Sequence, residues 1–260
     1  MIEQNYINYY LSSLKYSYLV NHCLMPQAKL IKIHDDGSKI VNVFVHGYNC
    51  ETEVKFQTIV NGVHKLKLAG KVYVLCWKSG NWTYHNDIAN IVVTRNPFVI
   101  FVRYFHFLIY LKRAVKLGEN LKKHISKIPN ITNMQVNLIG FSLGARVIKK
   151  ALLSSNWTNY KVQNLVLLAG AADTDTEDWV KILKVIKGRI INVFSKNDLV
   201  LHAQGFKNWI GRNKIDIKNR RIINRRYRLG HAEYINKIDY ILGRVWKDRK
   251  ISKKYTINYY

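Results

Sequence analysis

The sequence predicts an α/β domain: a mostly parallel sheet with helices on both faces. Short apolar runs of strand length alternate with longer segments whose apolar residues return at helical spacing, the order that parallel crossovers produce. One of these runs, Val136-Asn137-Leu138-Ile139, leads straight into Gly140-Phe141-Ser142-Leu143-Gly144 and then into a helix-compatible segment. The chain has 260 residues, 48% of them hydrophobic, which is enough for one sizeable core and argues for a single domain over residues 1–260.

Taken in order, Ile7, Tyr10, Leu11, Leu14 and Tyr18 recur at helical spacing, so an amphipathic helix packed on the domain is expected first. Two β-like runs, 28–34 and 39–45, follow. Asp35-Asp36-Gly37-Ser38 between them signals a hairpin. Residues 51–69 read as a helix with Phe56, Ile59, Val60, Val63 and Leu66 on one face and Gly70 as its stop. Residues 71–77 form the next strand, and strand–helix–strand implies a parallel crossover.

Periodicity fails from 78 to 96. Residues 97–111 are then almost continuously apolar around Arg103 and His106, yet too short to span a bilayer comfortably. This run reads either as a buried helix or as a lid over an acyl pocket, and residues 78–127 are expected to form a cap-like helical insertion. From 112 to 127 the helical pattern continues with Lys and Arg outward, and Pro129-Asn130 ends it.

After the Gly-x-Ser-x-Gly segment, residues 162–169 form a strand followed by Gly170-Ala171-Ala172-Asp173. A helix over 179–186 stops at Gly188, and the strand 189–195 ends in Lys196-Asn197-Asp198. Residues 206–229 are strongly basic, with Asp216 as their single acid. Gly230-His231 then precedes a closing helix marked by Ile235, Ile238, Ile241 and Leu242. The basic tail 248–260 is expected to be loose. Ile-Asn-Tyr-Tyr at 7 and again at 257 is coincidence in a chain this rich in these residues.

The strand–Gly-x-Ser-x-Gly–helix order is what a nucleophile elbow requires. Ser142 would project its hydroxyl from the sheet edge, Gly140 and Gly144 would let neighbouring backbone pass close, and the Leu143 amide would face an oxyanion. The bland alternative is a serine that merely caps the helix. Upstream, Val45-His46-Gly47-Tyr48 ends a strand where α/β-hydrolases build the other half of the oxyanion hole. There Gly47 permits the turn, the Tyr48 amide donates, and His46 is a supporting, structural histidine.

A serine hydroxyl needs a base to take its proton and an acid to orient that base. In this fold the chain order is Ser, acid, His. Ser142, Asp198 and His231 fit it, with Asp173 as the rival acid and His202 as the rival base. Asp175, Glu177 and Asp178 read as charges in the first turn of the next helix. No metal is expected, since no His/carboxylate ligand spacing is present, and no cofactor, since no phosphate loop or Gly-x-Gly-x-x-Gly occurs.

The formal charge is +26, from 42 Lys and Arg against 16 Asp and Glu. Such a field draws the protein to anionic partners, an acidic membrane surface being favoured over nucleic acid because no reading motif is present. Cys23, Cys50 and Cys76 show neither a disulfide framework nor a zinc pattern, which makes a reducing compartment the default. The first 20 residues lack the pattern of a cleaved signal peptide. A cytoplasmic or peripheral-membrane location is expected, and export as an effector without a cleaved signal is compatible with it.

Gly-Phe-Ser-Leu-Gly-Ala-Arg-Val-Ile at 140–148 resembles the elbow of the α/β-hydrolases related to the transmembrane-and-coiled-coil-domain proteins, long classed as a domain of unknown function. Residues 188–201 are similar to their acid-bearing strand and loop, and Leu229-Gly-His-Ala-Glu-Tyr234 to their Gly-His-x-x-Tyr segment. Residues 113–121 match the helix before the elbow. The resemblance implies an α/β-hydrolase fold with Ser142, Asp198 and His231 as its triad. Related bacterial effectors that are lipase-like make a lipid substrate the expectation.

The function expected is therefore serine-dependent hydrolysis of carboxylic esters, of lipids or phospholipids at anionic membranes. The alternatives are an inactive scaffold that binds nucleic acid or anionic surfaces through the 206–229 stretch, and an acyltransferase, thioesterase or peptidase using the same residues.

Overall fold

The computed structural model describes residues 28–50, 53–80, 97–203 and 208–247, the side chains of Glu53 and of residues 97–106 excepted. The expected helix around Ile7 to Tyr18, the stretch 81–96, Lys207 and the tail 248–260 lie outside these residues.

Seven strands run along the chain: β1 (Lys29–His34), β2 (Ile40–Val45), β3 (Lys71–Cys76), β4 (Gln135–Phe141), β5 (Lys161–Leu168), β6 (Ile190–Phe194) and β7 (Ile222–Arg226). They form one sheet in the order β1-β3-β2-β4-β5-β6-β7. Every neighbouring pair is parallel except β1 with β3. The helices are α1 (Glu53–Lys65), α2 (Pro97–Ile125), α3 (Leu143–Ser154), α4 (Thr176–Val185), α5 (Leu199–Ala203), α6 (Glu233–Asn236) and α7 (Ile238–Lys247). The architecture is the α/β-hydrolase fold, with the Ser142 strand β4 at its centre.

Strands buried on both faces must be apolar on both, which is why β2 to β6 read as continuous apolar runs. Alternate residues serve two layers. Val41, Val43, Val45, Val136 and Leu138 pack with Ala114, Leu121 and Ile125 of α2 and with Val147 and Ile148 of α3. Phe44, Val72, Val74, Ile139 and Val166 pack with Phe56 and Ile59 of α1 and with Ile241 and Leu242 of α7.

The expected hairpin does not form. Strand β1 lies antiparallel to β3, with Lys29 opposite Cys76 and Leu30 opposite Leu75, and it does not touch β2 in the sheet. The local turn chemistry is present: Gly37 N donates to Asp35 Oδ1 at 3.1 Å and Ser38 N to Asp36 Oδ1 at 2.9 Å. Asp36 Oδ2, however, accepts from Gly70 N at 2.8 Å, so the link arches across the start of β3. Burial decides the pairing. Strand β2 is buried nearly throughout and takes buried neighbours on both sides, leaving the half-exposed β1 for the edge.

Helix α2 is continuous across the proposed boundary between lid and domain. From Phe107 onward it belongs to the domain core, with Phe107, Tyr110, Ala114, Leu121 and Ile125 buried. Part of the expected cap over 78–127 falls on residues outside the description. Among the described residues, no helix is long and apolar enough to cross a membrane. Cys76 is disulfide-bonded and Cys50 is buried, whereas the spacing predicts no disulfide framework. A fold can join cysteines that no short motif connects.

Two polar features cross this frame. Asn42, Asn137 and Asn164 form a ladder on β2, β4 and β5. Asn42 Nδ2 donates to Ala69 O at 2.9 Å, Asn137 Nδ2 to Asn42 Oδ1 at 2.9 Å, and Asn164 Nδ2 to Asn137 Oδ1 at 3.0 Å. Arg189 N closes it on Asn164 Oδ1 at 3.1 Å. The second feature lies in the basic stretch. Arg221 donates to Gly188 O at 2.7 Å, to Leu183 O at 3.0 Å and to Ile186 O, satisfying carbonyls at and after the C-terminus of α4. Part of the stretch is therefore internal structure and not a charged face.

Candidate active site

Strand β4 passes into α3 through Ser142, whose φ of 51° and ψ of −119° are rare for a residue with a side chain. Such a conformation costs about 1–3 kcal/mol and persists only when its surroundings impose it. Here three backbone bonds do so: Ser142 N donates to Leu168 O at 2.9 Å, and Ser142 O accepts from Ala145 N at 3.1 Å and Ala171 N at 2.9 Å. The flanking glycines are required by contact. A Cβ on Gly144 would sit 1.9 Å from Val45 O, and one on Gly47 would sit 2.6 Å from Ser142 Cβ. The loop after β2 is thereby pressed against the serine, with Tyr48 next along the chain.

Ser142 precedes α3 but makes no side-chain cap bond. Its hydroxyl instead lies 3.0 Å from His231 Nε2. His231 Nδ1 lies 2.6 Å from Asp198 Oδ2. A carboxylate can only accept, so Nδ1 carries the proton and Nε2 is left to accept from Ser142 Oγ. Asp198 is fully buried, and its other oxygen accepts from Leu201 N at 2.9 Å at the start of α5. Leu143 opens the 12-residue α3, where unpaired amides and the helix dipole favour negative charge.

The structure brings Ser142, Asp198 and His231 together and separates the rivals from them. Asp173 is ion-paired with Lys149, which also holds Asp178 at 2.9 Å. Burial raises the Asp173 carboxyl, but the Lys149 hydrogen bond and charge outweigh it and leave the group below its ordinary value. His202 is exposed and lies against the Arg212 guanidinium. The oxygens of Asp173, Asp175 and Asp178 lie within 4.8 Å of one another, and Lys149 is ion-paired with two of the three, Asp173 and Asp178. Asp175 caps α4, its carboxylate accepting from Glu177 N at 3.0 Å.

His46 is fully buried, stacked on Trp77 with ring centroids 5.7 Å apart. Trp77 N donates to His46 Nε2 at 3.3 Å, so His46 Nδ1 bears the proton and donates to Gly47 O at 3.0 Å. Trp77 Nε1 donates to His46 O at 3.0 Å. The pair braces the loop that carries Gly47 and Tyr48. Burial pushes the His46 imidazole down to about 4 from 6.5, against the Gly47 hydrogen bond, which raises it. The unfolded chain thus takes up a proton at higher pH than the native one. Stability from this group is complete above 6.5, falls as pH drops toward about 4, and is flat below, a loss on the order of 3 kcal/mol. Urea unfolding near pH 7 and near pH 4 is expected to show this increment in the wild type but not in His46→Gln. Equal pH dependence of the two proteins refutes it.

Sequence reasoning missed Ser195. Its buried Oγ accepts from Asn197 N and Leu229 N, both at 3.1 Å, tying the loop that bears Asp198 to the loop that bears His231. It also missed Trp77 as the brace of His46 and Phe141 as the ring packed 5.2 Å from His231. A serine at a strand end, three residues before a candidate acid, and an aromatic inside an apolar strand carry no readable signal of such roles.

Comparison with known proteins adds the following. A family described as a protein of unknown function (DUF726) matches residues 104–247, more than half of the chain. An uncharacterized membrane protein of Caenorhabditis elegans is 29% identical over 150 residues, 52% of this chain and 24% of that protein. A transmembrane and coiled-coil domain-containing protein of Oryza sativa subsp. japonica is 44% identical over 95 residues, 35% of this chain and 14% of that protein. The matched stretch therefore spans a quarter or less of either relative. Among solved structures, a lipase-esterase related protein from Clostridium acetobutylicum ATCC 824 superimposes with a TM-score of 0.50 at 12% identity, covering 85% of this chain and 98% of that one. That likeness concerns the fold.

Proposed function

The chain belongs to this family of unknown function (DUF726), and on that footing we propose that it is a serine hydrolase of carboxylic esters acting on lipids at anionic membranes. The observation that carries the reading is the continuous contact from Ser142 Oγ through His231 to buried Asp198, at 3.0 and 2.6 Å. Ser142 Oγ attacks the acyl carbonyl while His231 Nε2 takes its proton, and the Asp198 carboxylate holds the imidazolium that forms. The Leu143 and Tyr48 amides receive the oxyanion. His231 then protonates the departing alkoxide, activates water against the acyl-enzyme, and returns the proton to Ser142.

A lipid acyl chain is favoured by the aromatic wall beside the oxyanion loop. Tyr48 packs on Tyr110 at 4.9 Å and on Phe107 at 6.0 Å, and Phe107 on Trp209 at 6.0 Å. The net charge of +26 favours an anionic surface, and the C. elegans relative is named a membrane protein. Internal use of Arg221 weakens the alternative of a nucleic-acid binder built on 206–229. A fluorophosphonate probe is expected to label the wild type and not Ser142→Ala, and acyl esters of increasing chain length to be hydrolysed by the unlabelled wild type and not by Ser142→Ala. Labelling that persists in Ser142→Ala would overturn the assignment.

A further inference from the structure

Helix α2 carries a second feature. Arg113, Lys116, Lys123 and His124 fall within one face of the helix, and Lys127 follows just past its end. With Lys78, just beyond β3, they line a cleft of about 520 Å³ whose apolar wall includes Trp77 and Leu117. That size falls within the roughly 300–1,000 Å³ of small-ligand sites. Among the described residues, no carboxylate lines it.

Basic residues on a helix usually form a solvated face, and some in this protein sit beside acids. Lys150 pairs with Glu119 at 3.3 Å, Lys214 with Asp216 at 3.0 Å, and Lys237 with Glu233 at 2.8 Å. Glu119 is the only acid of α2, and its partner Lys150 belongs to α3, away from the cleft. Among the described residues, none of the six cleft groups has an acidic partner. His124 is held below its ordinary value by burial and then by the charges of Lys127 and Lys123, as a concave surface of one sign requires.

We propose that this cleft binds a ligand carrying several phosphate groups, at a site separate from Ser142. Arg113 to His124 spans roughly 16 Å of helix, so one phosphate cannot engage the whole row, whereas spaced phosphates can. Guanidinium and ammonium groups are the usual partners of phosphate oxygens. The site does not depend on the hydrolase reading, and its assay can be run on Ser142→Ala as well as on the wild type. It touches the other site through Trp77, which walls the cleft and also braces His46, and through Arg113, whose guanidinium lies 4.9 Å over the Tyr110 ring.

The test measures binding of soluble inositol trisphosphate to the full chain by calorimetry. In parallel, flotation uses phosphatidylcholine vesicles containing either phosphatidylinositol bisphosphate or phosphatidylserine at matched charge. Arg113→Glu with Lys116→Glu reverses two exposed cleft charges. Lys181→Glu with Lys184→Glu makes the same net change on the exposed face of α4. The cleft variant is expected to lose about tenfold or more in affinity for the phosphorylated ligand, and the α4 variant to stay near wild type. Cleft-dependent binding of bisphosphate vesicles without binding of the soluble ligand supports the site and assigns it a lipid headgroup. Equal losses in both variants, no binding in either arm, or equal binding to phosphatidylserine vesicles overturns it. Should the charge reversal unfold the protein, Arg113→Ala with Lys116→Ala is expected to weaken binding in the same direction.

Discussion

Ser142→Ala is expected to lower kcat for acyl-ester hydrolysis by about 10⁴- to 10⁶-fold, the range seen when a triad nucleophile is deleted. Stability should barely move. The backbone bonds that hold position 142 do not involve its side chain, and the hydroxyl contributes one contact, to His231. A single such bond is worth about 0.5–1.5 kcal/mol net. Steady-state rates with thermal unfolding of both proteins separate lost chemistry from lost structure. His231→Ala should fall about as far, and the double variant no further, because the two groups act as a unit. A residual rate within tenfold of wild type would remove Ser142 from the chemistry.

Asp198→Asn carries the second large effect, about 10⁴-fold in kcat, for a more specific reason. Asparagine fits the same buried site, and its carbonyl can still accept from Leu201 N. The amide nitrogen then faces His231 Nδ1 and can only donate. That forces the proton onto Nε2, where it blocks acceptance of the Ser142 proton. Geometry is preserved while the tautomer is wrong. The expected result is a folded protein with near-normal substrate affinity and almost no turnover, and one that labels with fluorophosphonate far more slowly than wild type. Unchanged kcat would mean that Asp198 serves only to anchor α5.

Much of this site was legible because chemistry there is local. Gly140, Ser142 and Gly144 sit within five residues, and the strand before and helix after them are readable by period. The order of Asp198 and His231 after their strands followed from the topology of the fold. Other features depend on contacts between distant segments. The edge position of β1 is set by which strands are buried, which Asp35-Asp36-Gly37-Ser38 cannot reveal. Helix α2 reads as apolar in one half and basic in the other, and only packing shows that it is one helix lying in the core from Phe107 onward. Ser195 bridges two loops that share no pattern. Arg221 looked like surface charge because its partners, carbonyls near residues 183–188, leave no trace in side-chain composition.

The asparagine ladder has a consequence for how the chain finds its alignment. Strands apolar on both faces can slide by two residues and still bury every side chain, so hydrophobicity alone leaves the register ambiguous. Asn42, Asn137 and Asn164 break that degeneracy. A two-residue slip would strand three buried amides, at about 1–3 kcal/mol each. The same slip would carry a strand end about 7 Å, more than twice the separation of Ser142 Oγ and His231 Nε2. The three amides near the start of the sheet therefore meter distances at its far end, like a vernier that aligns one edge by fixing the other.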